Sequence, residues 1–81
     1  MTLEALKNAD KVIGIKQVTK AVNKGLATCV FLAGDADARV IEPLRTLCAE
    51  KGIETVPAAD MQALGEACAI EVGAAAAAVL R

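Results

Sequence analysis

Gly14 to Gly25 reads GIKQVTKAVNKG, and at 100° per residue its side chains sort into two opposed faces. Asn23, Lys16, Lys20, Lys24 and Gln17 fall within one arc of about 120°, while Ile15, Val18 and Val22 lie on the other side. This pattern predicts a helix from Ile15 to Lys24 with one apolar and one cationic face. One glycine opens it, and a second stops it where a left-handed residue is needed. Immediately before it, Lys11-Val12-Ile13 reads as a short strand. A strand, a glycine and a helix in direct succession form a junction where backbone can approach a ligand closely and the first helical N–H groups point outward.

Upstream, Thr2 is a candidate cap for a short helix from Leu3 to Asn8. Thr28 to Ala33, TCVFLA, is apolar without alternation, as expected of a central strand covered on both faces. Gly34-Asp35-Ala36-Asp37 forms a turn, after which Val40, Ile41, Leu44, Leu47 and Cys48 recur at helical spacing up to Lys51-Gly52. Pro43 leaves two openings for this helix. Either Asp37 caps a helix kinked at Pro43, or the regular helix begins near Pro43 with proline in its tolerated first turn; the second is preferred. Ile53 to Val56 reads as a third strand, and Asp60 as the cap of a short helix from Met61 to Ala67. Ala74 to Leu80 reads as a last strand, because a strand crossed by tightly packed helices favours alanine even though alanine prefers helix by propensity. The expected fold is a three-layer α/β/α sandwich with a mixed four-stranded sheet.

With 81 residues, the chain is expected to form a single domain, 1–81, since either half would be too small to bury a core. Hydrophobic residues make up 56% and aromatic residues 1%, so the core is built from Val, Ile, Leu and Ala and its elements approach closely. There is no apolar run of about 18 residues and no signal-peptide pattern, which predicts a cytoplasmic protein without a membrane partner. Cys29, Cys48 and Cys68 are odd in number, widely spaced and set among apolar neighbours, so they read as buried small hydrophobes. His, Ser, Tyr and Trp are absent, removing the commonest general base, the serine nucleophile and most aromatic stacking platforms. An enzyme is therefore not expected, nor is a cofactor or small-molecule substrate.

The net charge of −1 is unevenly distributed. Lys7 to Lys24 holds five lysines against Asp10, a local charge of +4, whereas Asp35 to Glu71 holds eight acids against Arg39, Arg45 and Lys51, a local charge of −5. Because charges beyond roughly 8 Å are strongly screened at physiological salt, the basic segment can hold phosphate on an otherwise acidic chain. Lys16, Lys20 and Lys24 form an i, i+4, i+8 stripe suited to a phosphate backbone, and the Gln17 amide offers a paired donor and acceptor to a base edge. Spacing alone would suit an ordinary solvated lysine face, but the glycine junction and the absence of acids within the stripe favour binding. In Ala69 to Ala74, AIEVGA, Ile70 and Val72 can either tuck into the core or pack on an unstacked base, and the residues by themselves favour the core. Asp35 and Asp37 suit turn and cap roles better than a metal site, for which no third ligand is evident.

Together GIKQVTKAVNKG, the turn GDADA and the stretch LGEACAIEVGAAAAAV resemble the kink-turn-binding ribosomal-protein family (large-subunit ribosomal protein L7Ae-like), in its short bacterial YbxF-like branch. The resemblance runs from Lys11 to Leu80. It implies an α/β/α sandwich that docks the Gly14–Gly25 helix on sharply bent RNA beside tandem sheared G·A pairs. By position, Gly14, Lys16 and Gln17 would face the G·A pairs, and Lys20 and Lys24 guanine edges or phosphates. Ile70, Glu71, Val72 and Gly73 would form the loop near an extruded base. Archaeal members carry Asn-Glu where this chain has Lys16-Gln17, which predicts looser selectivity or affinity more dependent on salt. Ala69 stands where a glycine commonly begins the loop, which predicts a stiffer loop. The implied partner is a kink-turn RNA, either ribosomal RNA or an mRNA leader, bound by a monomer. Relatives with this fold in the growth-arrest and DNA-damage family are described as partners of other proteins. The alternative is accordingly a protein-interaction module using the acidic surface from Asp35 to Glu71.

Overall fold

The strand Ala76–Leu80 is apolar at every position because helices cover both of its faces. Ala76 and Ala78 pack with Val18, Ala21, Val22, Ile41, Leu44 and Cys48 on one side, while Ala77 and Val79 pack with Leu6, Leu64, Ala67 and Cys68 on the other. The same alternation runs through Ala27–Ala33, where Val30 and Leu32 face the first group and Cys29, Phe31 and Ala33 the second. A computed structural model describes residues 3–81. After a 3-10 helix at Leu3–Asn8 come β1 (Lys11–Ile13), α1 (Ile15–Asn23), β2 (Ala27–Ala33), α2 (Ala38–Lys51), β3 (Glu54–Ala58), α3 (Met61–Ala67) and β4 (Ala76–Leu80). The strands form one sheet in the order β1-β4-β2-β3. β4 is antiparallel to β1 and β2, and β3 is parallel to β2, which makes the sheet mixed. Helices α1 and α2 cover one face, and α3 with the 3-10 helix covers the other, giving the expected sandwich. Thr2, the expected first cap, lies outside the described residues.

Of the five consecutive alanines, Ala76 to Ala78 lie in β4 despite alanine's preference for helix, because the sheet is crossed on both sides and only small side chains leave the helices room. A register shift between Ala27 and Cys29 leaves Thr28 exposed, its hydroxyl donating to the Val79 carbonyl at 3.2 Å.

The preferred opening of the second long helix is overturned: α2 begins at Ala38, with Asp37 as N-cap accepting from the Arg39 amide at 2.9 Å, and Pro43 lies inside it. Pro43 is on the solvent face, where water can serve the carbonyl that the missing N–H would have bonded. β3 also runs further than Ile53–Val56, reaching Ala58 through Pro57. As an edge strand paired only with β2, it can hold a proline without breaking the inner ladder.

Candidate nucleic-acid interface

Gly14 adopts φ 96° and ψ 153°, a region closed to residues with a side chain, and sits at the N-cap of α1. Asp37 caps α2 and Asp60 caps α3, the latter accepting from the Ala63 amide at 2.7 Å. Glycine has no atom to do this for α1. The first amide of α1 to bond backwards is that of Val18, to the Gly14 carbonyl at 3.0 Å, so the N–H groups of Ile15, Lys16 and Gln17 have no helical acceptor. A Cβ at residue 14 would meet nothing within 4 Å, so glycine is required by the backbone angle and not by crowding.

Lys16, Gln17, Lys20, Asn23 and Lys24 are all exposed, while Val18, Ala21 and Val22 are buried, as the two-faced reading of this helix requires. Among the described residues no ion pair or hydrogen bond ties down the side chains of Lys16, Gln17, Lys20 or Lys24. Gln17, Lys20 and Lys24 border a shallow depression of about 130 Å3 floored by Val12, Ala21, Leu26 and Leu80. Rising at about 1.5 Å per residue, the stripe carries Lys24 some 12 Å from Lys16.

The second predicted segment arrives at the same end of the sheet. The Gly14 amide donates to the Ala76 carbonyl at 2.9 Å, and the Ala33 amide to the Ala75 carbonyl at 2.9 Å. The start of β4 is thus fastened beside the opening of α1. The Ala74 amide donates to the Met61 carbonyl at 3.0 Å, and the Met61 amide to Asp35 Oδ1 at 2.8 Å. The structure therefore brings Gly14, Lys16 and Gln17 to the sheet end that also bears the loop of Ile70, Glu71, Val72 and Gly73. Lys20 and Lys24 lie progressively further along α1.

Within that loop the expectation of core burial divides between the two apolar residues. Ile70 is half-buried against the cluster of Phe31, Leu64 and Cys68, whereas Val72 is 71% exposed. No other large hydrophobic residue described here protrudes as far. Glu71 and Gly73 are exposed as well.

The acidic segment is largely occupied with intramolecular work. Asp35, Asp37 and Asp60 accept backbone amides, Glu42 lies 3.5 Å from Arg45, and the Glu66 carboxylate accepts from Gln62 at 3.4 Å. Hydrogen bonds from the Arg39 side chain and amide hold the Asp37 carboxyl below the usual carboxylate range. Among the described residues no group of metal-ligating side chains gathers. All three cysteines are buried, and burial pushes each thiol up, with the charge of Glu54 adding to the effect at Cys29. Among the described residues no helix is long and apolar enough to cross a membrane.

The profile of the Ribosomal protein L7Ae/L30e/S12e/Gadd45 family matches residues 2–81. The chain belongs to that family. It is 43% identical to the RNA-binding protein YbxF of Geobacillus stearothermophilus over the full length of both chains. It is 44% identical to the large ribosomal subunit protein eL8 of Halobacterium salinarum over 68 residues, covering 83% of this chain and 57% of that one. Among solved structures, the Giardia lamblia 15.5kD RNA binding protein superposes with a TM-score of 0.89 at 30% identity, covering 98% of this chain and 70% of that one.

One feature of this L7Ae-family chain shows where Ala69 matters. Among the described residues, each of the three α-helices ends with the paired backbone bonds of a Schellman motif. Gly25 and Leu26 donate to Val22 and Ala21, Gly52 and Ile53 to Ala49 and Cys48, and Ala69 and Ile70 to Glu66 and Gly65. Gly25 and Gly52 adopt φ 72° and 70° without strain, but Ala69 takes φ 61°, where a Cβ crowds the following carbonyl. Ala69→Gly is expected to raise stability by about 1 kcal/mol, seen as a Tm rise of roughly 4–8 °C in a thermal melt. An unchanged or lower Tm would mean that Ala69 is unstrained. Pattern reading missed Asp35 as a cap for Met61, since the two are 26 residues apart and no local rule joins them.

Proposed function

We propose that this chain binds structured RNA containing a kink turn, stabilises the bent form and carries out no covalent step. The observation that supports this best is the uncapped opening of α1. Three backbone donors without helical acceptors share one end of the sheet with an exposed apolar loop and lead into a stripe of unpaired lysines. The helix dipole and free N–H groups suit a phosphate or a base edge. The Gln17 amide suits the displaced edges of a sheared G·A pair, and Lys16, Lys20 and Lys24 suit phosphates crowded by the bend. Val72, with Ile70, Glu71 and Gly73 around it, suits an extruded base. The names of the bacterial and Giardia relatives support an RNA partner, and the target would be ribosomal RNA or an mRNA leader.

The mechanism is population shift. A kink-turn RNA fluctuates between open and bent forms, and a protein that prefers the bent form draws the population towards it. The test is a titration at fixed salt against one kink-turn RNA and the same RNA with its G·A pairs replaced by Watson–Crick pairs. Tight binding to the first alone is the expected result; equal or absent binding to both would refute kink recognition. Gln17→Ala is expected to cost about 1–3 kcal/mol on the intact site and much less on the disrupted one. Equal losses on both would remove Gln17 as a reader of the pair.

A further inference from the structure

We infer that Gly65 is a positioning residue for the contact with the extruded base: lacking a Cβ, it lets the 70–73 loop lie flat on α3 with Val72 presented to solvent. This rests on the reading of the loop given above. A Cβ at residue 65 would stand 2.2 Å from the Val72 carbonyl oxygen, 3.1 Å from the Val72 carbonyl carbon and 3.2 Å from the Gly73 Cα. All three are backbone atoms, so no side-chain rotation can relieve the clash. Gly65 has an ordinary helical backbone and a negative φ, so only this close approach demands glycine.

The loop is fixed at both ends. At its start the Ile70 amide donates to the carbonyl of Gly65 itself at 3.1 Å, and at its end the Ala74 amide donates to the Met61 carbonyl at 3.0 Å. Between these two bonds the chain runs back along α3, with Val72 against Gly65 and Gly73 against Met61, where a Cβ on Gly73 would lie 3.1 Å from the Met61 Cβ. With Leu64 and Ala67 buried against the sheet, α3 cannot retreat, so an added methyl at 65 lifts the loop instead. Val72, 71% exposed, is the residue carried away from its place over Gly65. A loop held in position before RNA arrives avoids an ordering cost on binding.

The experiment compares binding to a kink-turn RNA with binding to the same RNA abasic at the extruded nucleotide. The wild-type protein is expected to prefer the intact RNA by about tenfold, the scale set by covering one exposed valine side chain with a base. Gly65→Ala is expected to reduce that preference to about twofold, as is Val72→Ala, and the double variant to lose nothing further. The salt dependence, set by the lysines of α1, should not change. Alanine is the better helix former, so α3 keeps its helix while the loop takes up the clash.

A folded Gly65→Ala protein that keeps the tenfold preference would overturn the inference, as would a Val72→Ala loss that adds in full to it. If Gly65→Ala does not fold, Gly73→Ala lifts the same loop more gently, and an unchanged preference there would overturn it equally. A wild-type protein that prefers kinked RNA but ignores the extruded base would refute this inference and leave kink recognition standing. If the wild-type protein shows no preference for kinked RNA, amide spectra of the free protein decide the positioning role. Gly65→Ala should shift Glu71 to Ala74 and leave Lys16 to Lys24 in place, and no shift in the loop would overturn it.

Discussion

Replacing Lys16, Lys20 and Lys24 together by alanine is expected to weaken binding to a kink-turn RNA on the order of 10²–10³-fold at physiological salt and to flatten the slope of log K against log[salt] by roughly 2–3. Each exposed ammonium is free of intramolecular partners among the described residues, so binding RNA breaks no existing pair and releases a counterion from each phosphate it neutralises. The single change Lys20→Ala should remove about one unit of slope. The three positions face water and alanine is the strongest helix former, so α1 should be no less stable than before. Titrations at several salt concentrations, with circular dichroism on the same samples, separate lost phosphate contacts from lost structure. A slope that survives the triple change would make the stripe an ordinary solvated face.

The same variant helps to decide between the donors at the opening of α1 and the lysines behind them. The N–H groups of Ile15, Lys16 and Gln17 belong to the backbone and persist in the triple alanine protein. Residual preference for intact over disrupted G·A pairs should therefore outlast most of the lost affinity. On the proposed reading, the lysines would supply strength that salt can screen, and the junction discrimination that salt screens less.

Where local chemistry decides the outcome, the sequence is a sufficient guide. The two faces of α1 follow from 3.6-residue periodicity, the stop at Gly25 from its left-handed conformation, and the start of α3 from Asp60. The strand reading of Ala74 to Leu80, which the structure holds from Ala76 onward, rests on what can fit between two helical layers, a question that helix propensity does not address. Legibility ends where a residue's meaning depends on which side meets water. Pro43 is tolerated inside α2 because it faces solvent, and Pro57 inside β3 because that strand is an edge. Ile70 and Val72 are chemically alike and two residues apart, yet one packs on the core and the other protrudes, a difference set by the path of the loop over Gly65. Asp35 reads as a turn residue and also caps a helix 26 positions away.

Phe31→Ala should cost about 3–5 kcal/mol and lower Tm by roughly 12–40 °C, which brings a domain of this size close to unfolding at ordinary temperatures. Phe31 is the only aromatic residue in the chain and is fully buried at the centre of β2. It packs in one cluster with Leu6, Cys29, Leu64, Ala67, Cys68 and Ala77, most of them small, so few neighbours can swing in to fill the space it leaves. At roughly 0.05–0.15 kcal/mol per residue, the whole chain has only about 4–12 kcal/mol of stability to lose. Phe31→Leu keeps much of the volume and should cost about 1–2 kcal/mol. That milder change should loosen the two faces unequally: α3 and the 70–73 loop pack on the Phe31 side, whereas α1 belongs to the opposite cluster with Val30 and Leu32. Hydrogen exchange in Phe31→Leu should accelerate first at the amides of Leu64, Ile70 and Ala74, with those of Val18 to Val22 following only with global unfolding. Equal acceleration on both faces would mean that the sheet transmits the defect and the sandwich opens as one unit. A Phe31→Ala cost below about 1 kcal/mol would mean that the α3 layer collapses onto the sheet and that the stability resides with α1 and α2.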